Sequence, residues 1–94
     1  MILPIDGPAN TFQLNVSTTA VELKQGASVL SERKYVLIQP LDGDVYIGYT
    51  SGVTAANGHR VREGGFLPIP AAERLPVYIV SASGTVDVRV SEVA

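Results

Sequence analysis

The chain has 94 residues, of which 46% are hydrophobic and 17% are charged, with a net charge of −2 and no cysteine. This length makes one small domain, and the composition is too apolar for a disordered chain. The missing cysteines exclude a disulfide framework and a thiol nucleophile, and the scattered basic residues do not form the concentrated positive face that nucleic acids bind.

The N-terminal segment, residues 1–10, differs in composition from the rest of the chain. Prolines and a glycine separate its apolar side chains, and proline disfavours a helix while favouring extended backbone. We predict an extended N-terminal arm over residues 1–10 and a single domain over residues 11–94. Whether the arm packs on its own domain or against a neighbouring copy stays open at this stage. The apolar side chains of the arm are Ile2, Leu3 and Ile5.

Neither a secretory signal nor a membrane partner is expected. The first six residues lack the basic group that begins a secretory signal, and they contain an acid and a proline. The uncharged stretch over residues 11–21 contains glutamine, asparagine, serine and threonine, so we do not expect it to span a bilayer.

Three segments alternate apolar and polar side chains, as a strand does when one face is buried and the other is wet. The alternation is clear in residues 11–16 and 85–91, and a shorter run follows the first of these at residues 19–24. We predict a strand in each, with Asp87 and Arg89 close together on the exposed face of the last one.

Three further segments are apolar on both faces: residues 35–39, 45–49 and 77–80. A two-layer β-sandwich covers only one face of each sheet, so strands of this kind need a second cover. We predict that neighbouring subunits supply it; the alternative is that the tyrosines are ordinary half-exposed side chains. The candidate interface residues are Tyr35, Leu37, Tyr46, Tyr49, Tyr78 and Val80.

The turns between these segments are marked by glycine dipeptides. Asp42-Gly43 favours a hairpin between the first two of the doubly apolar segments, and Asn57-Gly58 and Ser83-Gly84 mark two more turns. About eight short strands at turn spacings near 8–12 residues predict an all-β fold. We expect a small antiparallel β-sandwich or a jelly-roll-like barrel over residues 11–94.

The sequence offers little chemistry for catalysis. The single histidine, His59, lies in a turn, and the sequence contains no nucleophile motif that this histidine could activate as a general base. The segment Asp42-Gly43-Asp44 lacks the ligand spacing of a calcium-binding loop. No glycine-rich phosphate loop is present. We predict that the protein is not an enzyme, with no catalytic residue, no cofactor and no metal.

Five segments in this order resemble small β-sandwich virion proteins of tailed bacteriophages. They are TAVEL at 19–23, RKYVLIQP at 33–40, VYIG at 45–48, GVTAANG at 52–58 and PVYIVSASGTVDVRV at 76–90. The resemblance spans roughly residues 19–94. Proteins of this kind are capsid decoration (cement) or head-fibre components.

The resemblance implies a homo-oligomer, expected to be a homotrimer, that binds the major capsid protein and stabilises the shell. The protein would be made in the cytoplasm of the bacterial host and found in the virion, with no nucleic-acid or membrane partner. Two alternatives stay open: another neck, tail or fibre module of the phage, and a carbohydrate-binding β-sandwich. The candidate capsid contacts are Ile2, Leu3, Ile5, Asn57, His59, Arg60 and Arg62.

Overall fold

The computed structural model of the protein describes residues 7–94, and the regular structure in this range is entirely β. Eight strands form two four-stranded sheets. The strands are β1 (Ala9–Val16), β2 (Val21–Glu22), β3 (Tyr35–Pro40), β4 (Val45–Gly48), β5 (His59–Val61), β6 (Leu67–Pro70), β7 (Tyr78–Ser81) and β8 (Val86–Val93).

The two sheets pack face to face as a β-sandwich, which confirms the predicted fold class. Sheet A has the strand order β1-β8-β3-β6, and sheet B has the order β2-β7-β4-β5. All pairings in both sheets are antiparallel. Strands distant in sequence are therefore neighbours in space, and sheet A is assembled around β8, the last strand of the chain.

The core lies between the sheets and is built mainly from β-branched side chains. Val86, Val88 and Val90 of β8 face inward, while Asp87 and Arg89 lie on the outer side. This confirms the predicted alternation, and the Arg89 and Asp87 side chains lie 3.3 Å apart as expected. Burying each such aliphatic side chain stabilises the folded state by about 1.5–3 kcal/mol, so the alternating pattern contributes to stability through the residues it places in the core.

The predicted hairpin at Asp42-Gly43 is wrong, because β3 and β4 lie in different sheets. Both edges of β3 are already occupied, by β8 and by β6, so β4 has no free edge there to pair with. The connection crosses between the sheets instead. It is fastened to β8: Asp42 Oδ1 accepts the Asp87 N–H at 2.7 Å, and Leu41 N–H donates to the Asp87 carbonyl at 2.8 Å.

The first strand begins before the predicted domain boundary at residue 11. Ala9 and Asn10 belong to β1, where they pair with Val93 and Glu92. The Ala94 N–H extends this ladder by donating to the Pro8 carbonyl at 2.9 Å. The part of the predicted arm that carries Ile2, Leu3 and Ile5 lies outside the described residues.

A buried ion pair between Arg33 and Glu92 closes one end of the sandwich. Arg33 Nη1 and Glu92 Oε2 are 3.1 Å apart, and both side chains are 0% exposed. Glu92 continues the inward-facing row of β8 one step beyond Val90, so its carboxylate enters the core at the end of the strand. Removing two charges from water costs several kcal/mol per ion, which this site must offset with hydrogen bonds.

All five N–H groups of the Arg33 guanidinium are used. Besides Glu92, they donate to four backbone carbonyls at 2.9–3.3 Å: those of Leu23, Ala71, Ala72 and Leu75. Two connections that contain no strand of their own, one before β3 and one after β6, are thereby tied to the same side chain. The guanidinium acts as the internal anchor of this end of the fold.

The Glu92 carboxylate also accepts hydrogen bonds from groups other than Arg33. Its oxygens accept the backbone N–H groups of Gln25 and Leu30 at 3.2 and 3.0 Å and the Asn10 side-chain amide at 3.1 Å. Burial by itself raises the pKa of Glu92. The hydrogen bonds to the ionised form, led by that from Leu30, outweigh burial and hold the pKa below its ordinary value.

Replacing Glu92 by glutamine tests this anchor. We expect Glu92→Gln to lower the free energy of unfolding by about 3–5 kcal/mol at neutral pH, because Arg33 would keep a buried charge without a partner. Urea unfolding followed by circular dichroism measures the loss. The matched control is Asp87→Asn, which breaks an exposed pair and should cost no more than about 1 kcal/mol.

The lowered pKa of Glu92 also predicts a dependence of stability on pH. An unfolded glutamate titrates near pH 4.3, so the stability from ionised Glu92 is complete above that value. It is lost as the pH falls through the lower pKa of the folded state. The free energy of unfolding should therefore fall below about pH 5, and fall less steeply in Glu92→Gln. Equal slopes in the two proteins would contradict this role.

Candidate interaction surfaces

The predicted subunit-interface residues are divided between the two outer faces of the sandwich. Tyr35 and Leu37 lie on the outer side of sheet A, because the residues between and after them on β3 are buried in the core. Tyr46 and Tyr78 lie on the outer side of sheet B by the same alternation. What the sequence suggests as one interface is two surfaces on opposite sides of the molecule.

The outer side of sheet A carries an uncharged patch, which we call the apolar face. The strand register aligns Ala9, Val93, Tyr35 and Pro70 in one row across all four strands, with Leu37 opposite Pro68 in a neighbouring row. Phe66 directly precedes β6 and is 64% exposed. The apolar face consists of Ala9, Tyr35, Leu37, Phe66, Pro68, Pro70 and Val93.

The remainder of the same outer surface is polar. Gln13, Arg89 and Gln39 form one row across β1, β8 and β3. Gln13 Nε2 donates to Asp87 Oδ1 at 3.1 Å, and Arg89 lies against the same carboxylate. Thr11 and Ser91, whose hydroxyls lie 3.0 Å apart, continue the polar surface into the row that holds Leu37 and Pro68.

The outer side of sheet B offers less surface than the sequence predicts. Tyr46 and Tyr78 are half-buried, and Val80, which lies opposite Tyr46 in the register, is only 2% exposed. Val80 is thus already covered within the single chain and leaves almost nothing for a partner to contact. Tyr46 and Tyr78 form what we call the tyrosine face.

A shallow pocket of about 320 Å³ opens at one end of β4 and β5. It brings together Tyr49, a predicted interface residue, with Asn57 and His59, two of the predicted capsid contacts. Tyr49 is 48% exposed at its rim. The residues that line the pocket are Ile47, Gly48, Tyr49, Thr50, Val53, Asn57 and His59.

The loop that forms one wall of this pocket is held by its own hydrogen bonds. Asn57 Oδ1 accepts the Thr54 N–H at 2.7 Å, and Asn57 Nδ2 donates to the Gly52 carbonyl at 3.4 Å. The Gly58 N–H donates to the Thr54 carbonyl at 2.8 Å. The side-chain amide of Asn57 therefore stabilises the loop. The same amide groups are less available for the capsid contact that the sequence predicts for Asn57.

Arg60, another predicted capsid contact, is engaged inside the chain. Its Nε donates to Asp44 Oδ2 at 2.8 Å, and the Glu63 N–H donates to the other oxygen at 2.8 Å. The Glu63 N–H, followed by the Arg60 guanidinium, lowers the pKa of Asp44 below its ordinary value. Arg60 is partly neutralised by this pairing, whereas the side chains of His59 and Arg62 are exposed.

Neither an ion site nor a relative supplies a function for these surfaces. Within residues 7–94, no group of three or more histidine, cysteine or acidic side chains is placed to hold a metal ion. The same part of the chain contains no helix long and apolar enough to cross a membrane. No protein-family model matches the chain, and no curated protein does either.

Sequence reasoning identified only Tyr35 and Leu37 among the seven residues of the apolar face. The five residues absent from the predicted interface are Ala9, Phe66, Pro68, Pro70 and Val93. The segment at 66–70 nevertheless alternates prolines with Leu67 and Ile69. That alternation is the signal that places the prolines outward. Their position beside Tyr35 and Leu37 depends on the pairing of β6 with β3, which the sequence does not reveal.

Gly58 provides a test of how tightly the pocket loop is packed. A Cβ at this position would lie 2.8 Å from Val53 Cγ2 and 3.0 Å from both the Thr54 carbonyl oxygen and Tyr46 Cβ. We expect Gly58→Ala to lower the free energy of unfolding by about 1–3 kcal/mol, because the methyl group overpacks this site. Thermal unfolding of the variant measures the effect.

The control for this test is Gly52→Ala in the same loop. There the nearest atom to an added Cβ is Thr50 Oγ1 at 3.6 Å, an ordinary contact. A change within about 0.5 kcal/mol is expected. Equal losses in the two variants would contradict the close packing at Gly58.

Proposed function

We propose that the protein is a structural component of a tailed-bacteriophage virion, a homo-oligomer that binds the major capsid protein and stabilises the shell. The observation that carries the proposal is the apolar face. Six uncharged residues aligned by the strand register lie on the outer side of sheet A, and Phe66, which directly precedes β6, is 64% exposed. Soluble monomers rarely leave a contiguous apolar patch uncovered, so such a surface favours a protein partner.

The apolar face and the tyrosine face lie on the outer sides of opposite sheets, so a contact between them would join identical subunits head-to-tail. A head-to-tail contact closes into a ring only when the rotation between subunits permits, and otherwise it builds an open stack. The proposal of a homotrimer, which is a closed ring, is carried by the sequence resemblance alone.

The contact with the shell is assigned to the exposed polar end of the molecule at β5. His59 lies in this edge strand of sheet B, Arg62 directly follows it, and both side chains are exposed. Arg60 contributes less, since Asp44 already binds its guanidinium. A virion component made in the host cytoplasm needs no catalysis for this task, only a rigid module with distinct contact surfaces.

The subunit contact is tested by Phe66→Lys. Phe66 is too exposed to support the fold, so the charge should weaken association without unfolding the chain. Light scattering at micromolar concentration should give an oligomer for the wild type and a smaller mass for the variant. Thr85→Lys, at an exposed position outside both faces, should leave the mass unchanged. A monomeric wild type would contradict the proposal.

Shell binding is tested by co-sedimentation of the protein with purified capsids of the tailed bacteriophage whose genome encodes it. The wild type should sediment with the capsids at a fixed stoichiometry, and Arg62→Glu should reduce binding at least several-fold. Arg74→Glu, at an exposed position in the connection after β6, changes the charge by the same amount and is the matched control. No sedimentation of the wild type would overturn the shell-binding role, and sedimentation with tails would move the protein to the tail.

A second candidate function, carbohydrate binding, is favoured by one observation. Tyr49 is 48% exposed beside a 320 Å³ pocket that also contains Asn57 and His59, and an exposed ring near polar groups suits the stacking of a sugar. The Asn57 amide is already bonded within its loop, which weakens this alternative. A glycan-array signal that disappears in Tyr49→Ala would favour it over the virion role.

A further inference from the structure

The edges of the two sheets differ in how far they are open to further strands. Sheet A ends at β1 and β6, and sheet B ends at β2 and β5. An edge strand presents unpaired backbone N–H and C=O groups, and proteins commonly block such edges with proline, charge or very short strands.

Three of the four edges are blocked in these ways. In β6, the Ala71 N–H donates to the Lys34 carbonyl, so residues 71, 69 and 67 bond β3 while Pro68 and Pro70 occupy the outward-pointing positions. Proline has no N–H, so this edge cannot donate there. The edge strand β5 has three residues including Arg60, and β2 has two residues including Glu22.

The fourth edge, β1, has none of these features. It has eight residues without a proline, a glycine or a charge. Because the Ala94 N–H bonds the Pro8 carbonyl, the even-numbered residues of β1 bond β8, and the backbone groups of Ala9, Thr11, Gln13 and Asn15 point away from it. Within residues 7–94 no backbone group pairs with this outer edge. The edge ends at Ser17, whose carbonyl accepts the Ser81 N–H.

We propose that β1 pairs with β1 of a second copy, antiparallel, about a two-fold axis at Gln13. Thr11 then lies opposite Asn15 of the second copy, and Gln13 lies opposite itself, giving about six backbone hydrogen bonds. On the inner side, half-buried Phe12 lies opposite Leu14 of the second copy. The strand is self-complementary because it carries no charge that would meet its own copy.

The neighbouring registers are less favourable. An axis at Phe12 would place Leu14 opposite the polar Asn10, which already bonds Glu92 within its own chain. An axis at Leu14 would place Thr11 opposite Ser17, whose carbonyl is already used by Ser81. The Gln13 register pairs Phe12 with Leu14 at its centre and takes its roughly six backbone bonds from the open groups of Thr11, Gln13 and Asn15.

This contact goes beyond the virion role and does not rest on it. It uses an edge, and so leaves the apolar face and the tyrosine face available for a ring. Edge pairing alone gives a dimer, a ring alone gives a trimer, and both contacts together give a hexamer.

Cysteine variants of this cysteine-free chain test the register directly. The two Cα atoms of Gln13 should lie about 5.5 Å apart in the pair, within reach of a disulfide. Those of Thr11 should lie about 13 Å apart, four residues along the strand, and out of reach. Gln13→Cys should therefore form a covalent dimer under mild oxidation, and Thr11→Cys should not. No dimer from Gln13→Cys, or equal cross-linking of the two, would overturn the proposal.

Gln13→Lys tests the same contact without a covalent bond. Two lysines would face each other at the axis, so the mass in light scattering should halve, while the circular dichroism spectrum stays unchanged because the Gln13 side chain is exposed. Ser83→Lys is the control for charge and should keep the wild-type mass. An odd number of copies in the wild type, or an unchanged mass in Gln13→Lys, overturns the inference. Neither result depends on capsid binding.

Discussion

The buried pair of Arg33 and Glu92 is the constraint on which this small sandwich most depends. Its side-chain hydrogen bonds join the start of β1, through Asn10, to two connections that contain no strand, one between β2 and β3 and one between β6 and β7. A domain of this size has a small hydrophobic core, which does little to fix the conformation of its connections. A fully hydrogen-bonded ion pair holds those connections in one conformation. The row of Ala9, Val93, Tyr35 and Pro70 lies at the same end of sheet A, directly outside this anchor.

The anchor lies inside the fold, whereas the proposed functions lie on the exposed surfaces. Sheet A has an apolar outer patch and one open edge, sheet B has a tyrosine face, and the end near β5 has exposed polar groups. The apolar face and the open edge share Ala9, and the other residues of these surfaces are distinct. A module of this kind can contact several neighbours at once, which is what a many-copy assembly requires of each subunit.

The alternation of apolar and polar side chains predicts where the strands lie, but it does not predict which strands pair with each other. The period of two in the valine-rich segment at 85–91 correctly places Val86, Val88 and Val90 in the core. The dipeptide Asp42-Gly43 suits a tight turn, but turn chemistry does not determine whether the next strand returns to the same sheet. The division of Tyr35 and Tyr46 between two faces depends on this long-range pairing. Glu92 has the spacing of the inward row, yet a charge at the end of a strand ordinarily indicates solvent. Its long-range bonds to Arg33, Leu30 and Gln25, together with that from Asn10, explain its burial.

Electron microscopy of an intact phage particle tests the proposed virion role and the subunit contact together, because it shows both the location and the contacts of the chain. We expect symmetry-related copies of the eight-stranded sandwich on the outer surface of the shell. In each, the outer side of sheet A should be covered by the outer side of sheet B of the next copy. Absence of the chain from the particle would contradict the virion role, and isolated copies with both faces in solvent would contradict the subunit contact.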